Sequence, residues 1–143
     1  MDAGCVFTLA PGDLNFGYRS SILKGNCRFA VLSSTMRIFC GDPLAIYAEM
    51  REMRDRRSKS QPREPSLGSV FKRTEGVSAG ELIDRAGLKG VRIGGAEISA
   101  KHAGFIVNAG GATARDFLAL ADMAAERVFN SFGVRLEREI EIL

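Results

Sequence analysis

GSVFKR at 68–73, followed by AGELIDRAGLKGVRIGGAEISAKHAGFIVNAGGAT at 79–113, decides the reading of the fold. The stretch joins a serine behind a glycine to a capped apolar run, then to short β-rich segments cut by glycines, one histidine and one asparagine. Ser78 and Glu81 have the spacing of a capping box, which predicts a helix start. Leu82, Ile83 and Ala86 form its buried face, and Gly87 supplies a left-handed stop. Residues 91–93, 97–99 and 105–108 read as short strands separated by glycine or small-residue turns.

Downstream, Thr113 caps the longest expected helix. Phe117, Leu120, Ala121, Ala124, Val128 and Phe132 recur at helical spacing, and Gly133 ends it. A last strand is expected from alternation. Val134, Leu136, Ile140 and Ile142 face one side, and Arg135, Glu137, Glu139 and Glu141 face the other, with Arg138 interrupting the apolar face.

Upstream, 5–10 reads as a short strand turned by Pro11-Gly12-Asp13. Residues 16–23 are mixed and hold Tyr18 and Arg19. The β-branched and aromatic run 29–39 reads as a strand. Asp42 as N-cap and Pro43 at the first helical position open a helix that runs to about Lys59. Arg51 with Asp55, and Glu52 with Arg56, stand four apart and can pair on its surface. Residues 58–68 carry two prolines and no periodicity, and read as a linker or ordered loop and the best candidate boundary. The fold class is α+β, with expected divisions at 1–45, 46–67 and 68–143.

Composition narrows the function classes. A chain of 143 residues with 45% hydrophobic and 26% charged residues is globular, and at this length it buries roughly 68% of its unfolded surface. A net charge of +3 fits an anionic small ligand as well as nucleic acid. The basic run from Arg51 to Arg63 lacks interleaved aromatics, which argues against nucleic acid. Cys5, Cys27 and Cys40 are odd in number, without CxxC, and read as free thiols in a reducing compartment. The N-terminus lacks a signal-peptide pattern and no apolar run approaches 18 residues, so a cytoplasmic protein with no membrane contact is expected.

Taken by residue type, most of the chemical groups have ordinary explanations. A serine in a small turn, such as Ser69, is usually a turn residue; alternatively its hydroxyl donates a proton to a developing carbanion. Arg19, beside Tyr18, packs on a surface or clamps a carboxylate or enolate with its permanent forked charge. Periodicity does not choose among Glu137, Glu139 and Glu141. A lone His102 is more often structural than catalytic, and no cluster makes it a metal ligand. Gly94-Gly95 and Gly110-Gly111 are not GxGxxG and are weak signs of a dinucleotide site.

The combination is more specific than its parts. GYRSS at 17–21, GSVFKR at 68–73, AGELIDRAGLKGVRIGGAEIS at 79–99, KHAGFIVN at 101–108 and the ending FGVRLEREIEI closely resemble the UDP-N-acetylenolpyruvoylglucosamine reductase family, also called UDP-N-acetylmuramate dehydrogenases. The resemblance implies an FAD- and NADPH-dependent oxidoreductase of peptidoglycan synthesis that reduces UDP-N-acetylglucosamine enolpyruvate. It implies Ser69 as proton donor, Arg19 as the cation that stabilises the enolate, and Glu139 as the third catalytic group. Tyr18, Lys72, His102 and Asn108 match substrate-binding motifs, with Lys72 and His102 as contacts to the nucleotide diphosphate. No extra segment separates the YR motif from GSVFKR, as in the family's shorter subclass.

Thr74 replaces a usual proline and Arg138 another, and Leu143 falls just before a usual glycine. The glycine-rich flavin segments of the family have no counterpart here. Residues 1–45 are therefore expected to be a remnant of an FAD-binding domain and 68–143 the substrate-binding domain, with the other flavin-domain half a possible partner. The alternative expectation is a catalytically inactive UDP-sugar-binding module.

Overall fold

The computed structural model describes residues 4–24, 29–74 and 76–142. The chain divides into two compact units, Met1–Cys40 and Gly41–Leu143.

The second unit contains the expected α+β arrangement. Helix α1 spans Pro43–Ser60, with the Asp42 carboxylate accepting from the Leu44 amide at 3.1 Å. Strand β1 (Ser66–Ser69) follows, then α2 (Ala79–Arg85), β2 (Arg92–Ile93), β3 (Ala96–Ile98), β4 (Phe105–Asn108) and α3 (Ala114–Phe132). The four strands form one antiparallel sheet in the order β1-β4-β3-β2. Helix α3 packs across β2, β3 and β4 and touches α2.

The core follows from the apolar periodicities. Ile83 from α2, Ile98 from β3, Val70 just after β1, and Leu120 and Val128 from α3 are its largest fully buried side chains. Burial of each is worth about 1.5–3 kcal/mol. Helix α3 starts on a reciprocal capping box: the Thr113 hydroxyl accepts from the Asp116 amide at 3.1 Å, and the Asp116 carboxylate accepts from the Thr113 amide at 2.9 Å. At α2 only half of the expected box forms. Ser78 Oγ accepts from the Glu81 amide at 3.1 Å, without the return bond. Gly87 and Gly133 end their helices at φ 73° and 70°.

Residues 5–10 and 29–39 form no strand, because no neighbouring segment among the described residues supplies the ladder that β-rich composition requires. Among the described residues of the unit Met1–Cys40 none is buried. Its regular features are a 3₁₀ turn at Pro11–Leu14 and a two-residue hairpin closed by reciprocal bonds between Gly17 and Ser20.

The stretch 58–68 is not all linker, since α1 extends to Ser60 and β1 begins at Ser66. The tail 134–142 makes one bridge, Phe71 to Arg138, rather than a regular strand. Arg138 leaves the apolar alternation to pair with Asp122 on α3, and Ile142 stays 63% exposed. On α1, Glu52 and Arg56 pair at 3.8 Å, whereas Arg51 and Asp55 do not pair.

Candidate functional site

Ser69 is placed by a β-bulge. Ser66 opposes Val107 and Ser69 opposes Phe105, so three steps along β1 match two along β4. The extra residue falls where Gly68 adopts φ 81°, a left-handed conformation that side chains resist. A bulge re-aims the residue that follows it, which gives a physical reason for a serine directly behind a glycine. Ser69 is exposed, and its hydroxyl has no hydrogen-bond partner among the described residues.

Immediately after Ser69 the chain pairs with the C-terminal tail. The Lys72 amide donates to the Glu137 carbonyl at 2.8 Å, and the Glu139 amide donates to the Val70 carbonyl at 2.8 Å. The backbones at 69 and 139 are thereby fixed one residue apart across a single pair of extended segments. The same pairing puts Lys72 and Glu137 side by side, and Lys72 Nζ forms an ion pair with the Glu137 carboxylate. Lys72 is mostly covered and Glu137 mostly exposed. Glu139 is half-buried.

His102 is built into the turn before β4. Its Nδ1 accepts from the Gly104 amide at 3.1 Å, and its ring meets Phe105 edge-on with centroids 4.9 Å apart. A Cβ at Gly80 would stand 3.1 Å from the ring, and one at Gly104 3.0 Å, so these glycines are the walls of its slot. With Nδ1 accepting, a neutral ring carries its proton on Nε2, the nitrogen available to an anionic ligand.

Asn108 has a structural task. Its Oδ1 accepts from the Gly110 amide at 2.9 Å and the Ala112 amide at 3.1 Å, shaping the loop that enters α3. The glycine pairs serve the same junction. A Cβ on Gly95 would lie 2.3 Å from the Gly110 carbonyl oxygen and 2.4 Å from the Ala112 nitrogen. Gly95 permits this close backbone approach, while Gly94, Gly110 and Gly111 adopt positive φ of 55°, 134° and 68°. The Asp116 carboxyl is held below its ordinary value of 3.8, first by the Thr113 amide and hydroxyl, then, against a partial burial cost, by the Gly95 amide and the Arg115 charge.

Tyr18 and Arg19 lie in the other unit, at the tip of the Gly17–Ser20 hairpin. Arg19 has φ 53°, an uncommon conformation for a non-glycine residue. The structure therefore brings Ser69, Lys72 and Glu139 onto one pair of extended segments, with His102 before β4 and Asn108 at its last position in the same unit. It leaves Arg19 and Tyr18 in a separately described unit.

The sequence reading missed Glu137 as the partner of Lys72 and Arg138 as the tie to α3. The signal for Glu137 was there in part, since period-two alternation puts 137 and 139 on one face. Among the described residues no group of three or more His, Cys, Asp or Glu side chains could hold a metal ion. No helix there is long and apolar enough to cross a membrane. Cys5 and Cys40 are free and exposed, while Cys27 falls outside the described residues.

A flavin needs a cradle around its ring and pyrophosphate. Among the described residues of Met1–Cys40 none is buried, and Ser69 itself is exposed, so those residues do not form one.

An antiparallel sheet with α3 packed across it defines an α+β domain. Its family is specific: the family described as UDP-N-acetylenolpyruvoylglucosamine reductase, C-terminal domain, matches residues 61–143, and the chain belongs to it. The chain is 47% identical over 140 residues to UDP-N-acetylenolpyruvoylglucosamine reductase 2 of Symbiobacterium thermophilum, covering 97% of this chain and 45% of that protein. It is 46% identical over 141 residues to the UDP-N-acetylenolpyruvoylglucosamine reductase of Pediococcus pentosaceus, covering 98% and 47%. The crystal structure of UDP-N-acetylenolpyruvylglucosamine reductase from Thermus caldophilus superposes with a TM-score of 0.67 at 37% identity, over 93% of this chain and 47% of that one. The chain thus spans about half the length of the relatives it matches.

Proposed function

We propose that this chain is the substrate-holding, proton-donating portion of an FAD- and NADPH-dependent reductase that converts UDP-N-acetylglucosamine enolpyruvate to UDP-N-acetylmuramate in cytoplasmic peptidoglycan synthesis. The observation that carries this reading is the pairing of 70–72 with 137–139. It holds the backbones of Ser69 and Glu139 one residue apart across 70 positions of sequence, with Ser69 following the bulge at Gly68.

In this assignment Lys72 and the Nε2 side of His102 receive the diphosphate of the UDP-sugar, with Tyr18 and Asn108 as further contacts. Arg19 and Glu139 hold the enolate-like state formed from the enolpyruvyl group, and Ser69 Oγ delivers the proton to its carbon. Reducing power belongs to the flavin and NADPH, and the cradle for them is assigned to the half of the relatives that this chain does not span. Residues 1–45 are read as the remnant of that FAD-binding portion.

A second reading is favoured by the buried core within Gly41–Leu143 and by the lack of any buried residue among the described residues of Met1–Cys40: a UDP-sugar-binding module without turnover of its own. Calorimetric titration with UDP-N-acetylglucosamine enolpyruvate, paired with an NADPH-oxidation assay, tests both. Saturable binding weakened about tenfold by Lys72→Ala and little changed by Ser69→Ala supports the shared substrate assignment. Turnover with a bound flavin spectrum selects the enzyme, and binding by a colourless protein selects the module. Absence of saturable binding rejects both.

A further inference from the structure

Away from the strand pair, a groove of about 440 Å³ runs beside the last turns of α1 and the segment that leaves it. Met50 and Met53 give it apolar contact, and Arg54, Arg57, Gln61 and Arg63 line its polar side. Ser69, Lys72, His102, Asn108 and Glu139 are not among its lining residues. Its size falls in the usual range for small-ligand sites, about 300–1,000 Å³.

The distribution of charge around α1 is uneven. Arg56, which does not line the groove, has a carboxylate partner in Glu52. Arg54 and Arg63, which do line it, have no carboxylate partner among the described residues. Arg57 donates through Nε to Gln61 Oε1 at 3.3 Å, which steadies its guanidinium and leaves the terminal nitrogens of the fork available. No acidic residue lines the groove. The end of α1 is tied down as well: the Gln61 amide closes on the Arg57 carbonyl at 2.8 Å, and Lys101 Nζ donates to the Ser58 carbonyl at 2.5 Å.

Three forked cations without acids favour phosphate oxygens, because guanidinium groups match them bidentately. Two adjacent methionines favour a flat or irregular apolar body, because the thioether is polarisable and adaptable. We infer that this groove is a second ligand site, which binds an organic phosphate of nucleotide size with its phosphates on Arg54, Arg57 and Arg63 and its ring system on Met50 and Met53. The site is independent of the UDP-sugar assignment.

The test is titration of the full chain with ADP, inorganic pyrophosphate and adenosine, followed by calorimetry and by amide shifts at residues 50–63. ADP is expected to saturate the site, pyrophosphate to bind about tenfold more weakly, and adenosine to show no saturation. The Arg54→Ser/Arg63→Ser double variant is expected to lose about tenfold or more in ADP affinity with an unchanged circular dichroism spectrum, and Arg54→Lys/Arg63→Lys to fall between. Met50→Ala is expected to weaken ADP and spare pyrophosphate. Lys72→Ala, which weakens the proposed UDP-sugar site, is expected to leave ADP affinity unchanged. The inference is overturned if ADP fails to saturate by about 5 mM, if the double variant binds ADP as the parent does, or if Lys72→Ala abolishes ADP binding.

Discussion

The units Met1–Cys40 and Gly41–Leu143 are made from similar residues and reach opposite outcomes. The first contains Val6, Phe7, Val31, Leu32, Ile38 and Phe39, each more than half exposed. The second seals Val70, Ile83, Ile98, Leu120 and Val128 almost completely. Apolar, β-branched composition is common to both. What differs is a partner: 96–98 and 105–108 meet each other in register and are covered by α3, whereas 29–39 finds no ladder among the described residues. Strand propensity describes fit to a half-buried pleated surface and does not create that surface.

Core truncation should separate the two units most sharply. Leu120→Ala, at a site with no exposed area, is expected to cost about 2–5 kcal/mol in urea unfolding. Val31→Ala, 67% exposed, is expected to stay within about 0.5 kcal/mol. Equal costs at the two positions would erase the contrast.

Glycine substitution gives the next largest effect. Gly95→Ala would push a methyl against backbone atoms of Gly110 and Ala112, and should destabilise by about 1–3 kcal/mol. Gly12→Ala, with open space around it, should change the same midpoint very little.

Helix caps sharpen the contrast inside the second unit. Thr113→Ala removes the cap of a helix that carries four buried residues, and is expected to cost about 1 kcal/mol of global stability. Asp42→Ala removes the cap of α1, which has no buried residue. It should reduce far-ultraviolet helicity while leaving the unfolding midpoint of the core in place.

The smallest expected effect is pH dependence at the α3 entrance. The folded Asp116 carboxyl titrates below its ordinary value of 3.8, so its contribution is fully present above that pH and is lost as pH falls through the lowered folded value. Asp116→Asn should therefore flatten the loss of stability on acidification below pH 3.8, read as urea midpoints along a pH series. An unchanged acid profile would show that the cap is not the titrating element.

Elements stabilised by local chemistry were legible in the sequence. Asp42-Pro43 opened α1, Thr113 opened α3, and Gly87 and Gly133 closed their helices, because caps and stops act within a few residues. Elements stabilised by distant partners were not. Strand β1 lies in a proline-bearing stretch that resembles a linker, and exists because β4 pairs with it. The tail alternates like a strand, but Arg138 turns to Asp122 and only a single bridge forms. The site was legible to the same degree. Ser69 behind Gly68 was visible as a motif, while the bulge that presents it required the register with β4, and the nearness of Glu139 required the pairing at Val70.

Amide hydrogen exchange at Lys72 and Glu139, with and without UDP-N-acetylglucosamine enolpyruvate, tests that pairing most directly. Both amides should be protected to the degree of those in β4, and slow further when the substrate is added. Exchange as fast as in residues 29–39, unaffected by the substrate, would contradict the joined Ser69–Glu139 site.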